Sequence, residues 1–198
     1  MNQLLTFLAL GDSYTIGEGC PIYESFPYQT TSLLRASGKN CVAPEIVAKT
    51  GWTSSELAGQ INRTVFLPYY DIVTLLIGVN NQYRGQSSSQ YALEFEELLK
   101  AAIRKAGQVF VLSIPDWGLT PYAAERDKET ISREIALFNS INKKISQMHH
   151  VTYTDITSGS PETCVNPQYL GNDGLHPSGK AYARWAKLLT HNILSTVK

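Results

Sequence analysis

Short apolar runs alternate along the chain with longer stretches in which apolar residues recur every three or four positions. The first run, "LLTFLAL" at 4–10, predicts a buried strand, and "PYQTTSLLRASG" at 27–38 predicts a helix closed by Gly38. "EIVAK" at 45–49 predicts a second strand, and "SSELAGQINRTV" at 54–65 a short helix capped by Ser54 or Ser55. "DIVTLLIG" at 71–78 is apolar on both faces, as a central parallel strand must be. Helical spacing over 89–107 stops at Gly107, and "QVFVLSIP" at 108–115 predicts a fourth strand stopped by Pro115. A long helix follows over 125–147, then a short fifth strand, "VTYTDI", at 151–156. A closing helix is expected from Pro177 to about Thr196, with Pro177 at the first position, where its missing N–H costs nothing.

Five strands separated by helices specify an α/β domain: a mostly parallel sheet covered on both faces. No repeat, low-complexity tract or linker breaks the pattern, so residues 1–198 read as a single domain. In such a sheet ligands bind beyond the C-terminal strand ends. Gly11–Ser13, Thr50–Trp52, Gly78–Asn81, Pro115–Trp117 and the loop before the last helix fall there.

Composition narrows the class of partner. The 198 residues are 43% hydrophobic and 17% charged, as in a soluble globular protein, and carry a formal net charge of zero. No broad basic field exists to attract nucleic acid or anionic lipid. Three cysteines (Cys20, Cys41 and Cys164) form neither a disulfide framework nor a C-x-x-C pair and suit a reducing compartment. The N-terminal apolar run has no Lys or Arg ahead of it and no small-residue cleavage site, so it reads as a strand rather than a signal peptide. No run approaches the roughly 18 apolar residues of a transmembrane segment, and a cytoplasmic location is expected.

The strand ends carry the candidate chemistry. In "GDSYTIGEG" Ser13 is either a turn residue that caps the next helix or a nucleophile delivered by the first strand. In "DGLHPSGKAYARWAKLL" Asp173 lies three residues before His176, a spacing that lets a carboxylate reach the imidazole Nδ1 and leave Nε2 free to take a proton. An acidic turn residue beside a capping histidine is the simpler reading of that segment alone. In "LLIGVNNQYRG" an asparagine amide at the strand end can donate to an oxyanion, or Asn80 or Asn81 can merely occupy a left-handed turn. Gly51 in "KTGWTSSEL" permits close approach of its N–H to a ligand and is equally an ordinary turn glycine. His149 and His150 are adjacent at a helix end and His191 lies inside the last helix, which offers no convergent metal site. "GLHPSGKA" lacks the Ser/Thr of a phosphate loop, and "GDSYT" lacks the second glycine of a G-x-S-x-G elbow.

Taken together, "GDSY", "KTGWTSSEL", "GVNN" and "DGLHPS" resemble the four ordered blocks of the SGNH (GDSL) hydrolase family. The blocks run in the family's order over nearly the whole chain, with Tyr14 where leucine is commoner. The resemblance implies a flavodoxin-like three-layer α/β/α sandwich and a serine esterase. It implies a catalytic Ser13, Asp173 and His176, and an oxyanion hole from Ser13, Gly51 and Asn80, with no metal or organic cofactor. Its partner would be a small-molecule ester, with short or soluble acyl groups favoured because no extended apolar lid is evident. A lysophospholipase, a thioesterase or a carbohydrate O-deacetylase can use the same triad. Tyr14, Trp52, Asn81, Tyr83 and Trp117 are candidate pocket residues, with Tyr122 beside them, although packing is the simpler reading of Trp52. A binding module holding phosphate or flavin at the strand ends is the alternative from another class, although Asp12 and Glu18 would repel an anion there. Oligomeric state stays open.

Overall fold

The computed structural model describes residues 4–157 and 165–197. Five parallel strands form its centre: β1 (Phe7–Gly11), β2 (Glu45–Ala48), β3 (Tyr70–Leu76), β4 (Ala106–Leu112) and β5 (Thr152–Thr154). Their order is β2-β1-β3-β4-β5. A separate two-residue parallel ladder pairs Leu4–Leu5 with Asn40–Cys41. The helices are α1 (Ser13–Ile16), α2 (Phe26–Ala36), α3 (Ser54–Ile61), α4 (Val79–Tyr83), α5 (Ser88–Ile103), α6 (Lys128–Met148) and α7 (Gly179–Thr196). Helix α2 packs on α7, and α3, α5 and α6 pack as a second group. Right-handed crossovers between parallel strands place the two groups on opposite faces of the sheet.

Burial on both faces explains the apolar run of β3, in which Ile72, Val73 and Leu75 are fully buried among Phe95, Leu99 and Phe110. Register then sets the site. Gly11 pairs with Ala48 on one side and Leu76 on the other, so β1, β2 and β3 finish level. The segments that leave them therefore emerge together at one edge, beside the point where strand order reverses. At that edge Gly78 has φ +128°, and a Cβ there would collide with the ring of Tyr91 and with Ile114. Only glycine lets β3 turn into α4 under that ring.

Several boundaries differ from the sequence-based expectations. Helix α3 is capped by Thr53, not Ser54 or Ser55: the Glu56 N–H donates to Thr53 Oγ1, and the Thr53 N–H donates to the Glu56 carboxylate at 2.8 Å. This reciprocal T-x-x-E box satisfies two otherwise unpaired N–H groups. The helix also stops at Ile61, short of residue 65. Gly107 does not end α5, which stops at Ile103; it lies inside β4, where a Cβ would meet the Tyr69 phenol. Strand β4 ends at Leu112 rather than Pro115. Pro177 is not the first residue of α7. It pairs with Leu170 in an antiparallel bridge, and Ser178 precedes the helix start at Gly179. Cys164 lies outside the described residues.

Candidate active site

Ser13 is the first residue of the single-turn helix α1, and Asp12 is its N-cap. The Tyr14 N–H donates to Asp12 Oδ1 at 3.1 Å, and Gly17, in the left-handed region at φ +77°, ends the turn. Ser13 is thus not the cap: its hydroxyl is free of that duty. Its carbonyl accepts the N–H groups of Gly17 and Glu18, so the backbone holds the residue in place.

His176 sits in a tight loop between Leu170 and Pro177. Its carbonyl accepts the Gly171 N–H at 2.7 Å, and Asp173 Oδ1 accepts the N–H groups of Leu175 and His176, each at 3.0 Å. The other carboxylate oxygen, Oδ2, lies 2.6 Å from His176 Nδ1. Burial works to raise the Asp173 carboxyl, but the hydrogen bonds from the His176 ring and from the Leu175 and His176 backbone outweigh it and hold it below its ordinary value. An ionised carboxylate on Nδ1 fixes the tautomer and leaves Nε2 as the basic edge. The helix entrance expected for His176 is replaced by this Asx-turned loop, which aims the ring by three bonds to one carboxylate.

Gly51 follows β2 at φ +84°, and its carbonyl accepts from Arg84 Nη2 at 2.6 Å. Asn80 lies in the first turn of α4. One of its amide hydrogens goes to the Trp52 carbonyl at 3.0 Å, which orients the group and leaves its second hydrogen available. Asn81 is fully buried and faces away: its Oδ1 accepts the Ser54 N–H at 3.0 Å and its Nδ2 donates to Ser54 Oγ and Gln86. It clamps α3 to α4 rather than lining a pocket, as the complete burial of its amide requires its polar atoms to be paired.

Ser13, Tyr14, Thr50, Gly51, Val79, Asn80, Tyr83, Trp117, Tyr122, Leu175 and His176 line one open cleft of about 190 Å³. Four of the five candidate catalytic and oxyanion residues therefore share a wall, with Asp173 behind His176. Ser13 and His176 meet there as neighbours, not as a hydrogen-bonded pair; such contacts are commonly long before substrate arrives. Trp52 is absent from this wall. It packs half-buried against the core and lines a shallow groove with Lys49 and Arg63 instead. Tyr14 is buried, its ring 5.6 Å from that of His176 and 6.1 Å from that of Trp185. It also borders a second, more enclosed cavity between Pro115–Thr120 and Trp185. The sequence placed Asp12 and Thr50 at strand ends through "GDS" and "KTG", Asp12 only as a charge that would repel an anion, and it gave no signal for Arg84.

Asp12 is buried completely, and among the described residues its Oδ2 has no hydrogen-bond partner. Loss of solvent pushes its carboxyl up to about 7, against two backbone hydrogen bonds that lower it. The folded chain then keeps this proton where the unfolded chain has lost it. Asp12 contributes its full stability below about pH 4, and that contribution drains away as pH rises through about 7. Asp12→Asn removes the titration while keeping an acceptor for Tyr14. Measured by urea denaturation, the variant is expected to gain about 2–3 kcal/mol relative to the parent between pH 5 and pH 8. A stability difference that is flat over this range would show that the carboxyl does not titrate there.

Among the described residues no helix is long and apolar enough to cross a membrane, and no three His, Cys, Asp or Glu side chains cluster as metal ligands. Comparison with known proteins adds a lineage to this geometry. The model of the GDSL-like lipase/acylhydrolase family matches residues 9–184. An acetylxylan esterase from Geobacillus stearothermophilus superposes with a TM-score of 0.76 at 18% identity, over 96% of this chain and 94% of its own. A lipase/acylhydrolase from Enterococcus faecalis gives 0.75 at 20% identity, over 100% and 98%. A psychrotrophic esterase from Pseudoalteromonas, in a structure inhibited by monoethylphosphonate, gives 0.74 at 18% identity, over 96% and 97%. No curated protein sequence matches the chain.

Proposed function

The chain belongs to the GDSL-like lipase/acylhydrolase family, and from that premise we propose that its cleft hydrolyses carboxylic esters through an acyl-enzyme on Ser13. The observation that carries this reading is the convergence of Ser13, Gly51, Asn80 and His176 on one cleft, with Asp173 bound to the far side of the imidazole. His176 Nε2 takes the Ser13 proton as Oγ attacks the ester carbonyl. The N–H groups of Ser13 and Gly51 and the free amide hydrogen of Asn80 meet the developing oxyanion. The imidazolium returns its proton to the leaving alcohol. Water, deprotonated by the same nitrogen, then releases the acid and restores Ser13. No step calls on a metal or organic cofactor.

The modest cleft and its aromatic wall of Tyr83, Trp117 and Tyr122 suit short or soluble acyl groups. An acetylated sugar is one such substrate, and a structural neighbour is an acetylxylan esterase. A fluorophosphonate probe tests the reading: it should form a covalent adduct on Ser13 and stop turnover of p-nitrophenyl acetate together. An intact protein with neither adduct nor turnover would overturn it.

Asn80→Ala separates stabilisation of the oxyanion from simple substrate binding. Loss of one such donor costs about 3 kcal/mol, so kcat should fall roughly a hundredfold with KM little changed. A change confined to KM would reduce Asn80 to a binding contact.

A further inference from the structure

A stacked cation, Arg126, sits at the mouth of the cleft. Arg126 lies just before Asp127, the N-cap of α6, and its backbone N–H donates to the Ala123 carbonyl at 3.0 Å. Its guanidinium carbon stands 5.1 Å from the ring centre of Tyr83, 5.6 Å from Trp117 and 5.8 Å from Tyr122. All three aromatics line the cleft that holds Ser13 and His176. Arg126 Nη2 also donates to Tyr83 Oη at 3.1 Å. Hydrogen bonding with Tyr122 and from Arg126 holds the Tyr83 phenol below its ordinary value. The platform is fixed to the His176 loop as well, because the Tyr122 N–H donates to the Gly174 carbonyl at 3.1 Å.

A guanidinium has five N–H donors in a rigid fork. Arg126 gives one to Tyr83, and among the described residues it forms no ion pair with a carboxylate. Arg84, the other arginine at the cleft, differs: Glu56 neutralises it at 3.2 Å and the Gly51 carbonyl takes a further donor. Among the described residues the cleft wall carries no carboxylate, and Glu18 accepts a hydrogen bond from the Thr50 hydroxyl beside Gly51. The uncommitted donors of Arg126 thus stand on the Tyr83–Trp117–Tyr122 side. Packing of an arginine stem over aromatic surface alone would explain the stacking. It does not explain why this cation, at a site mouth, has no acidic partner among the described residues.

Resting on the esterase reading above, we propose that Arg126 is a specificity-determining residue that recruits esters bearing a second, anionic group, a carboxylate or phosphate, beyond the scissile bond. The aromatic platform holds the fork in one plane, and a planar pair of anionic oxygens accepts two parallel N–H bonds from it. The ester carbonyl then enters toward Ser13 while the anion stays at the rim, where little desolvation is required.

The test uses four para-substituted phenyl acetates with the acetyl group held constant. Their ring substituents are a carboxylate, a phosphate, a neutral methyl ester and a trimethylammonium group. Comparing each substrate between parent and variant cancels differences in leaving-group reactivity. Arg126→Gln should lower kcat/KM for the carboxylate and phosphate esters about tenfold or more, chiefly through KM, and change the neutral ester less than about threefold. Arg126→Lys should keep part of the preference, and added salt should erode it in the parent but not in Arg126→Gln. The relative effect on the carboxylate and phosphate esters identifies which anion the fork prefers.

Equal losses on neutral and anionic esters would overturn the proposal and leave Arg126 a packing residue. A gain confined to the trimethylammonium ester, with anionic esters unaffected, would overturn it in favour of a cation cage that Arg126 fills. Failure of the esterase reading looks different: the parent would turn over none of the four, and Ser13 would take no fluorophosphonate.

Discussion

Ser13→Ala is expected to lower turnover of p-nitrophenyl acetate by at least about 10⁴-fold while the protein stays folded. The size follows from what is removed. Without Oγ there is no acyl-enzyme, and the remaining oxyanion donors can only assist direct attack by water. The fold should survive because the backbone carbonyl of Ser13, not its hydroxyl, accepts the Gly17 and Glu18 N–H groups. Asp12 would still cap α1 through the Tyr14 N–H. Circular dichroism and urea denaturation of the variant should therefore overlay the parent closely. The fluorophosphonate adduct should vanish along with activity. A variant that retains a tenth of the parent's rate would place the nucleophile elsewhere and remove the basis for the mechanism.

The alternation of strand and helix was readable because it follows from burial. Strand β3 is apolar on both faces since helices cover both, and α6 shows its polar face because solvent lies on one side of it. Strand order could not be read, since nothing in β4 or β5 states its neighbour; pairing through Val109 and Val111 is settled by packing of the whole sheet. Short-range chemistry was missed where it was written in small polar residues. The T-x-x-E box at Thr53–Glu56 was present in the sequence, yet the two serines inside it drew the cap assignment one or two residues too late. The single-turn helices α1 and α4 are too brief to show periodicity, although each carries a candidate site residue.

The site itself was half legible. Ser13, Gly51, Asn80 and His176 stand at strand ends and loops that the parallel topology brings to one edge, so their shared cleft follows from register. The difference between Asn80 and Asn81 did not follow. Adjacent residues on a helix point about 100° apart, and only the start of α4 at Val79 decides which amide faces the cleft and which is buried against Ser54. Trp52 read as either a pocket wall or a packing residue, with packing the simpler of the two, and it packs against the core. Its carbonyl holds Asn80, but its ring lines another groove. Arg126 gave no signal in the sequence, because its three aromatic partners come from α4 and from the loop after β4.

Asp173→Asn should lower kcat by about 10⁴-fold, nearly as much as losing the nucleophile, although it changes a single atom. The Asp173 carboxylate has two separate duties. Oδ1 accepts the Leu175 and His176 N–H groups, which an asparagine oxygen can still do, so the loop should keep its shape. Oδ2 accepts from His176 Nδ1 at 2.6 Å, and an amide in its place presents N–H groups instead. The ring would then carry its proton on Nε2, where it cannot accept one from Ser13. In the parent, the depressed Asp173 carboxyl keeps this arrangement intact above its lowered value, and it is lost only as pH falls through that value. The acid limb of the parent's kcat profile should thus contain an Asp173 component that the variant lacks. Combining Asp173→Asn with Ser13→Ala supplies the decisive comparison. If the carboxylate acts only through His176 on Ser13, the double variant should be no slower than Ser13→Ala alone. A further loss in the double variant, or an Asp173→Asn rate within tenfold of the parent, would return Asp173 to the role of a turn residue.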